Sequence, residues 1–290
     1  MNPTLLDGAM GTELRRRGLR TLLPLWSAHA LIKAPDLVRQ IHAEYVNAGA
    51  EVITANTFRT AHYTLAKTGL ELSAEELTQR AVQLAREAAN SAASDRPVRV
   101  AGSMAPLEDC YRPDLTPAND ILQQEHRRQA RLLADAQVDF ILVETQNSIR
   151  EACIAAETAL SQGRPVWISL IPRNGETLFS GEPLREAVRA VARLKPEAIL
   201  VNCCLPAVAQ EALQIVREEW GGARGAYPNF GVPEDESDSS FSESLSPANF
   251  AQWGAQLLES GVQIIGGCCG TQPAHIAALS KIMRKTPLSI

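Results

Sequence analysis

The stretch Val262-Gln263-Ile264-Ile265-Gly266-Gly267-Cys268-Cys269-Gly270-Thr271 sets an apolar run against a glycine-flanked pair of cysteines, and a helical pattern follows from Pro273. Apolar run, tight turn and helix are the parts of a β-strand that feeds a helix. Seven earlier runs repeat the theme. Thr4-Leu5-Leu6 ends at Asp7-Gly8, Val52–Ala55 at Asn56-Thr57, and Val98–Ala101 at Gly102-Ser103. Phe140–Val143 ends at Glu144-Thr145, Val166–Ile171 follows Pro165, and Ile199–Val201 ends at Asn202-Cys203. Ala223–Tyr227 is the weakest and ends at Pro228-Asn229.

Helical patterns fill the intervals. Leu37, Val38, Ile41, Tyr45 and Val46 keep one face, with Asp36 placed to cap the helix and Gly49 to stop it. Ser73 and Glu76 form a capping box before Leu77, Ala81, Leu84, Ala85 and Ala88. Thr116-Pro117 and Ser246-Pro247 are pairs of N-cap and first-turn proline. Gly163 and Gly261 stand where helices should stop, and further helices are predicted to begin near Asn147, Pro183, Pro206 and Pro273.

Eight strand–helix units in 290 residues predict an α/β protein, a single (β/α)8 TIM barrel over 1–290, with its active site where the strands end. A doubly wound open sheet is the competing architecture. It lacks support at the first strand, because Asp7-Gly8-Ala9-Met10-Gly11 does not have the glycine spacing of a dinucleotide-binding turn. The segment 231–244, GVPEDESDSSFSES, breaks the rhythm as an acidic, serine-rich loop insertion, either a lid or a plain solvated loop.

A hydrophobic fraction of 45% and a charged fraction of 21% describe a chain able to bury a sizeable core. The net charge of -5 and the absence of any Lys/Arg block exclude nucleic acid as a partner. The first residues lack a basic segment followed by an apolar one, and no apolar run approaches the ~18 residues of a membrane span. The expectation is a cytoplasmic protein with small-molecule partners and no membrane partner. Thiols stay reduced there, so clustered cysteines point to a metal or to catalysis before disulfides.

Four of the six cysteines close two strands: Cys203-Cys204 after the sixth, Cys268-Cys269 after the eighth. Those strand ends are separated by one neighbour and can converge. Three thiolates, Cys203, Cys268 and Cys269, suit a tetrahedral Zn2+ with one open position, the mark of a catalytic zinc. A substrate thiol in that position would be held as thiolate. Cys204 should point the other way off its strand, and packing is the simpler account of Cys110 and Cys153. His275, one turn into a helix, reads as a packing or capping group. Disulfide cycling of either pair is a competing reading weakened by the strain of bridging adjacent residues. A barrel with a closed, structural zinc is the other, and would need a fourth protein ligand.

With these residues in view, the chain resembles the homocysteine S-methyltransferase family, zinc-dependent thiol methyltransferases on a (β/α)8 barrel. The resemblance rests on LLDGAMGTEL at 5–14, AEYVNAGAEVITANTFRT at 43–60, DFILVETQNSIREA at 139–152, VNC at 201–203 and IIGGCCGTQPAHI at 264–276. It implies one zinc per chain on Cys203, Cys268 and Cys269. It also implies Glu144 as the ligand of the substrate amino group and Asp7-Gly8 as the first-strand substrate contact. Thr54 and Asn56 would complete a polar wall, and Asn202 would hold the turn that aims Cys203; direct contact and a structural role stay open for all three. The implied reaction moves a methyl group from an onium donor to homocysteine, giving methionine. S-Methylmethionine is the favoured donor and S-adenosylmethionine the lesser one, since the chain has no room for folate or cobalamin domains. Selenocysteine or selenohomocysteine as acceptor, and a separate corrinoid protein as donor, are the alternatives. Trp26, Phe58, Tyr63 and Tyr111 are aromatic candidates for contact with an onium methyl group.

Overall fold

A computed structural model describes residues 3–70, 73–91, 96–230 and 246–285. Eight parallel strands follow one another around a barrel: β1 (Thr4–Leu5), β2 (Val52–Ala55), β3 (Arg99–Met104), β4 (Phe140–Gln146), β5 (Val166–Leu170), β6 (Ala198–Asn202), β7 (Ala223–Tyr227) and β8 (Ile264–Ile265). Thr4 pairs with Ile264 where β1 meets β8, and a parallel bridge from Leu6 to Val52 closes the ring. One long helix follows each strand: α1 (Pro35–Ala48), α2 (Ala74–Ser91), α3 (Asn119–Asp135), α4 (Ile149–Leu160), α5 (Leu184–Ala192), α6 (Pro206–Glu219), α7 (Pro247–Glu259) and α8 (Pro273–Lys285). The (β/α)8 barrel expected from the eight runs is the fold observed. Segment 231–244 lies outside the described residues.

The strands are apolar on both faces because each face has its own core. Ile53, Val100, Ile141, Val143, Ile168, Ile199 and Val201 point outward into the layer shared with the helices. Leu6, Val52, Ala101, Phe140, Leu142, Trp167, Leu200 and Ile264 point inward and fill the barrel. Alternation along each strand separates the two sets. Continuing the inward parity toward the strand ends gives Thr54, Ser103, Glu144, Ser169, Asn202 and Tyr227 in place of aliphatic residues. The barrel interior thus turns from apolar to polar over one layer, and that layer is the floor of the site.

Several local signals hold and others move. Ser73 and Glu76 exchange both capping bonds, at 3.1 and 2.8 Å, and Ser246 Oγ accepts from the Asn249 amide at 3.2 Å. Asp36 is not the cap of α1: Ala34 holds that position, Pro35 opens the helix, and Asp36 lies in its first turn, where its charge still favours the helix dipole. Thr116-Pro117 does not open α3, which starts at Asn119 after Ala118; Thr116 instead closes a 3-10 turn over Pro113–Leu115. Strands β3 and β4 run on to Met104 and Gln146, past their apolar runs, because polar inward residues continue the ladder.

Candidate active site

The three cysteines read from the sequence come together at the strand ends. The Sγ atoms of Cys203, Cys268 and Cys269 all lie within 4.8 Å of one another, with Cys268 and Cys203 at 3.3 Å. Sulfurs sharing one zinc at ~2.3 Å are roughly 3.8 Å apart, so the donor set fits a single ion after small side-chain adjustments. Among the described residues no fourth His, Cys, Asp or Glu joins the cluster. His275 turns its Nδ1 to the Gln272 amide at 3.1 Å, capping α8, and its ring packs against Phe230 and Phe250. Cys204 packs into the strand–helix layer as it borders the cavity, outside the triad.

What joins the two cysteine turns is the residue run after β7. Asn229 donates its amide to the Cys204 carbonyl at 2.8 Å and accepts at Oδ1 from the Cys269 amide at 3.1 Å. The Cys268 amide donates to Pro228 O and the Phe230 amide to Cys269 O, each at 2.8 Å. The Cys203 amide donates to Tyr227 O at 3.3 Å, and its backbone takes the left-handed conformation (φ 56°). A non-glycine residue adopts that conformation at a cost of ~1 kcal/mol, and here it turns Cys203 off the end of β6.

Two close approaches fix the glycine-rich turn. A Cβ on Gly8 would lie 2.7 Å from Thr271 Oγ1 and 2.8 Å from the Tyr45 ring; one on Gly267 would lie 2.4 Å from the Thr271 methyl. Thr271 Oγ1 donates to Cys268 O at 2.6 Å and accepts from the Ala9 amide at 3.0 Å. The DGA and GGCCGT segments therefore interlock, and Gly8 serves this docking while also lining the cavity.

Protons are shared unequally among the thiols. Hydrogen bonds from Cys268 and Cys269, helped by Tyr111 and Asn229, hold Cys203 well below the usual thiol range. Donating to Cys203 pushes Cys268 and Cys269 well above it.

Above the cluster opens a cavity of ≈ 480 Å³, lined among others by Asp7, Thr54, Asn56, Glu144, Tyr227 and the three cysteines. Glu144 accepts from the Ser103 hydroxyl at one oxygen and from Tyr227 Oη at the other, at 3.1 Å. Asp7 accepts from the Thr54 amide at 2.8 Å and its hydroxyl at 3.2 Å. Both carboxyls are buried, and among the described residues neither has a cationic side chain within 4.0 Å. Burial pushes Glu144 up to about 7 and Asp7 up to about 8, against the lowering effect of their hydrogen bonds.

Asn56 and Asn202 both hydrogen-bond within the protein, and Asn56 also lines the cavity. Asn56 exchanges hydrogen bonds with Ser27, accepting from Oγ at 2.6 Å and donating to its carbonyl at 2.9 Å. Asn202 accepts from Ser169 Oγ and the Thr145 amide and donates to Thr145 Oγ1 at 2.8 Å, so it holds the end of β4 beside its own turn. Tyr111 lies over the cluster with its hydroxyl 3.5 Å from Cys203 Sγ and its ring edge-on to Phe179. Trp26 and Phe58 line the cavity, but Tyr63 does not: its hydroxyl is bound to Glu108 and Lys67 stacks on its ring. Ser103, Tyr227 and Asn229 were missed in the sequence. For the first two the signal was the inward parity of β3 and β7.

Fold and site together define a TIM-barrel protein with a three-thiol cluster at the strand ends that could hold a metal ion. Residues 4–283 match the family model described as homocysteine S-methyltransferase, and the chain belongs to that family. It is 34% identical to the homocysteine S-methyltransferase of Escherichia coli (strain K12), over 95% of this chain and 93% of the relative. Identity to a selenocysteine methyltransferase of Astragalus bisulcatus is 28%, over 96% and 92% of the two chains. The crystal structure of the homocysteine methyltransferase MmuM from Escherichia coli, in its metallated form, matches with a TM-score of 0.84 at 31% identity, covering 97% of this chain and 96% of that one.

Proposed function

We propose that the protein methylates the thiol of homocysteine to give methionine, using an onium methyl donor and a zinc ion held by Cys203, Cys268 and Cys269. The observation that carries this reading is the placement of three converging thiols under a cavity whose two buried carboxyls, among the described residues, lack a cationic partner. Zinc bound there supplies a position at which a substrate sulfur is kept as thiolate at neutral pH.

The chain's own residues bind, orient and exclude water. Glu144, held by Ser103 and Tyr227, receives the substrate ammonium, and Asp7, held by Thr54, adds a second negative charge. An arriving ammonium favours their ionised forms, so binding draws both carboxyls down from their raised values. Tyr111 and Phe179 cover Cys203 and shield it from solvent. Methyl transfer is then a displacement in line. The homocysteine sulfur, its proton gone to solvent, forms a bond to the methyl carbon as the carbon–onium bond breaks. The electron pair of that bond stays with the donor, which leaves neutral. No residue acts as a base on carbon. S-Methylmethionine is the preferred donor and S-adenosylmethionine the lesser one. The Astragalus relative's name favours one further reading, a selenol accepted at the same site, since zinc binds selenolate on the same grounds.

Methionine formation from homocysteine should be measured with each donor in turn, before and after chelation. The expected result is turnover with a sulfonium donor, lost on chelation and restored by zinc. Turnover indifferent to chelation would remove the metal from the mechanism. Absence of turnover with every donor would leave a non-catalytic barrel with a structural zinc, and turnover only with a methylated corrinoid protein would replace the donor.

A further inference from the structure

Arg59, in the loop after β2, is the buried cation of the cavity wall; Arg173, the other arginine of the lining, is exposed. Arg59 is 5% exposed. Its Nη1 donates to the Pro106 carbonyl at 3.1 Å, its Nε has no partner, and its guanidinium lies over the Phe58 ring at 5.0 Å. The carboxylates that act on it through space, Asp109, Glu108 and Glu151, each have other partners, although Glu151 keeps Oε2 unpaired. Glu108 takes Tyr63 and Lys67, Asp109 takes the Tyr111 amide, and Glu151 takes the Leu107 amide and His126. Among the described residues no carboxylate lies within ion-pair distance of Arg59.

A guanidinium stays charged even when desolvated. A buried charge with an unpaired hydrogen-bonding atom is costly unless something satisfies it, and the fork of an arginine matches a carboxylate. The position of Arg59 also matters. It is held to the β3–α3 loop through Pro106 and shares the cavity lining with Asp7 and Glu144, the carboxyls read above as the ammonium's partners. A bare sulfonium entering this cavity would meet a like charge at Arg59. One that carries its own carboxylate would not.

We propose that Arg59 binds the carboxylate of the methyl donor and so makes the protein selective for onium donors bearing a carboxylate. This rests on the methyltransferase reading above. The reaction is unchanged: the donor's CH3–S+ bond breaks with its electron pair going to the donor sulfur, the new C–S bond forms on homocysteine, and the thiol proton goes to solvent. Arg59 positions the donor carboxylate and takes no part in the displacement.

The test compares S-methylmethionine with its carboxamide, which keeps the sulfonium and the ammonium and lacks only the carboxylate. The wild-type protein should prefer the acid by about 10–100-fold in kcat/KM, the range of a charge-assisted hydrogen-bonded pair, chiefly through the donor KM. Arg59→Gln should collapse that ratio toward one by losing rate with the acid, and Arg59→Lys should keep part of it. Equal rates of wild type with both donors would overturn the inference while leaving the function standing. So would an equal fall with both donors in Arg59→Gln, which is what a structural arginine predicts. A third arm replaces homocysteine by 3-mercaptopropylamine, the acceptor without its carboxylate. If Arg59→Gln alters only the acceptor preference, Arg59 serves the acceptor and the inference fails. If wild type produces no methylated thiol from any pair, the methyltransferase reading itself fails.

Discussion

The two ends of the barrel treat charge in opposite ways. At the strand starts, Arg99 stacks over Phe140 and Trp167 and stands 3.9 Å from Glu197, which accepts from Trp167 Nε1 at 3.1 Å. Charge there is paired, half exposed, and spent closing the apolar core beneath it. At the strand ends Asp7 and Glu144 are buried, raised and without a cation, and three thiols crowd within 4.8 Å. The lower end is satisfied by the protein itself. The carboxyls of the upper end, among the described residues, have hydrogen bonds but no cationic side chain, and that is the physical difference between the two ends.

That contrast breaks most sharply at the thiols. Cys268→Ser should abolish stoichiometric zinc binding and lower methionine formation by at least about 1000-fold, since a ligand set of two cannot hold the ion in place. Metal analysis and the activity assay on one preparation check both. Retention of zinc with loss of activity would separate the two roles. Glu144→Gln comes next: kcat/KM for homocysteine should fall about 10–100-fold, the worth of a hydrogen bond to a charged group, with zinc content unchanged. Asn229→Ala touches no substrate but frees both cysteine turns. Zinc affinity, read by chelator competition, should weaken about 10-fold or somewhat more, as for other residues that orient metal ligands.

A smaller effect concerns pH. Glu144 titrates near 7 and Asp7 near 8 in the folded chain, against ~4 for exposed carboxyls. The folded state thus binds more protons than the unfolded one between roughly pH 4 and 8, and stability falls as pH rises through that window. The thermal midpoint of the ligand-free wild type should drop more from about pH 5 to about pH 9 than that of the Asp7→Asn, Glu144→Gln double variant. Parallel drops would show that these carboxyls are not held neutral. The smallest effect belongs to the lower end: Glu197→Gln should cost no more than about 1 kcal/mol, as exposed ion pairs do, and leave turnover untouched.

Much of this was legible in the chain. Six of the eight runs, those leading to Asp7, Asn56, Ser103, Glu144, Asn202 and Cys268, are short, apolar and followed by a helix signal, so strand count and site end could be read together. The boundaries were less legible, because Ser103 and Glu144 continue their strands as polar residues and end an apolar run without ending a ladder. The weakest run, β7, proved the one whose following residues tie the cysteine turns together. ARGAY carries little apolar signal since Gly225 faces Ile264 with no room for a side chain, its Cβ position lying 2.3 Å from the Ile264 carbonyl oxygen. Asn229 was visible only as a turn residue. Its bonds to Cys204 and Cys269 depend on three strand ends meeting.

The sequence by itself determined the barrel, the end at which chemistry sits and the identity of three thiol ligand candidates, because periodicity and residue type are local properties. Tertiary structure decided the rest. It placed sulfurs distant in sequence within a few ångströms, tied the side chain of Asn56 to Ser27 and that of Asn202 to Ser169 and Thr145, and left Arg59 buried with no carboxylate at ion-pair distance among the described residues. Each of those outcomes is a question of which partners remain unpaired after folding, and pairing across a closed barrel is settled only when every strand is in register.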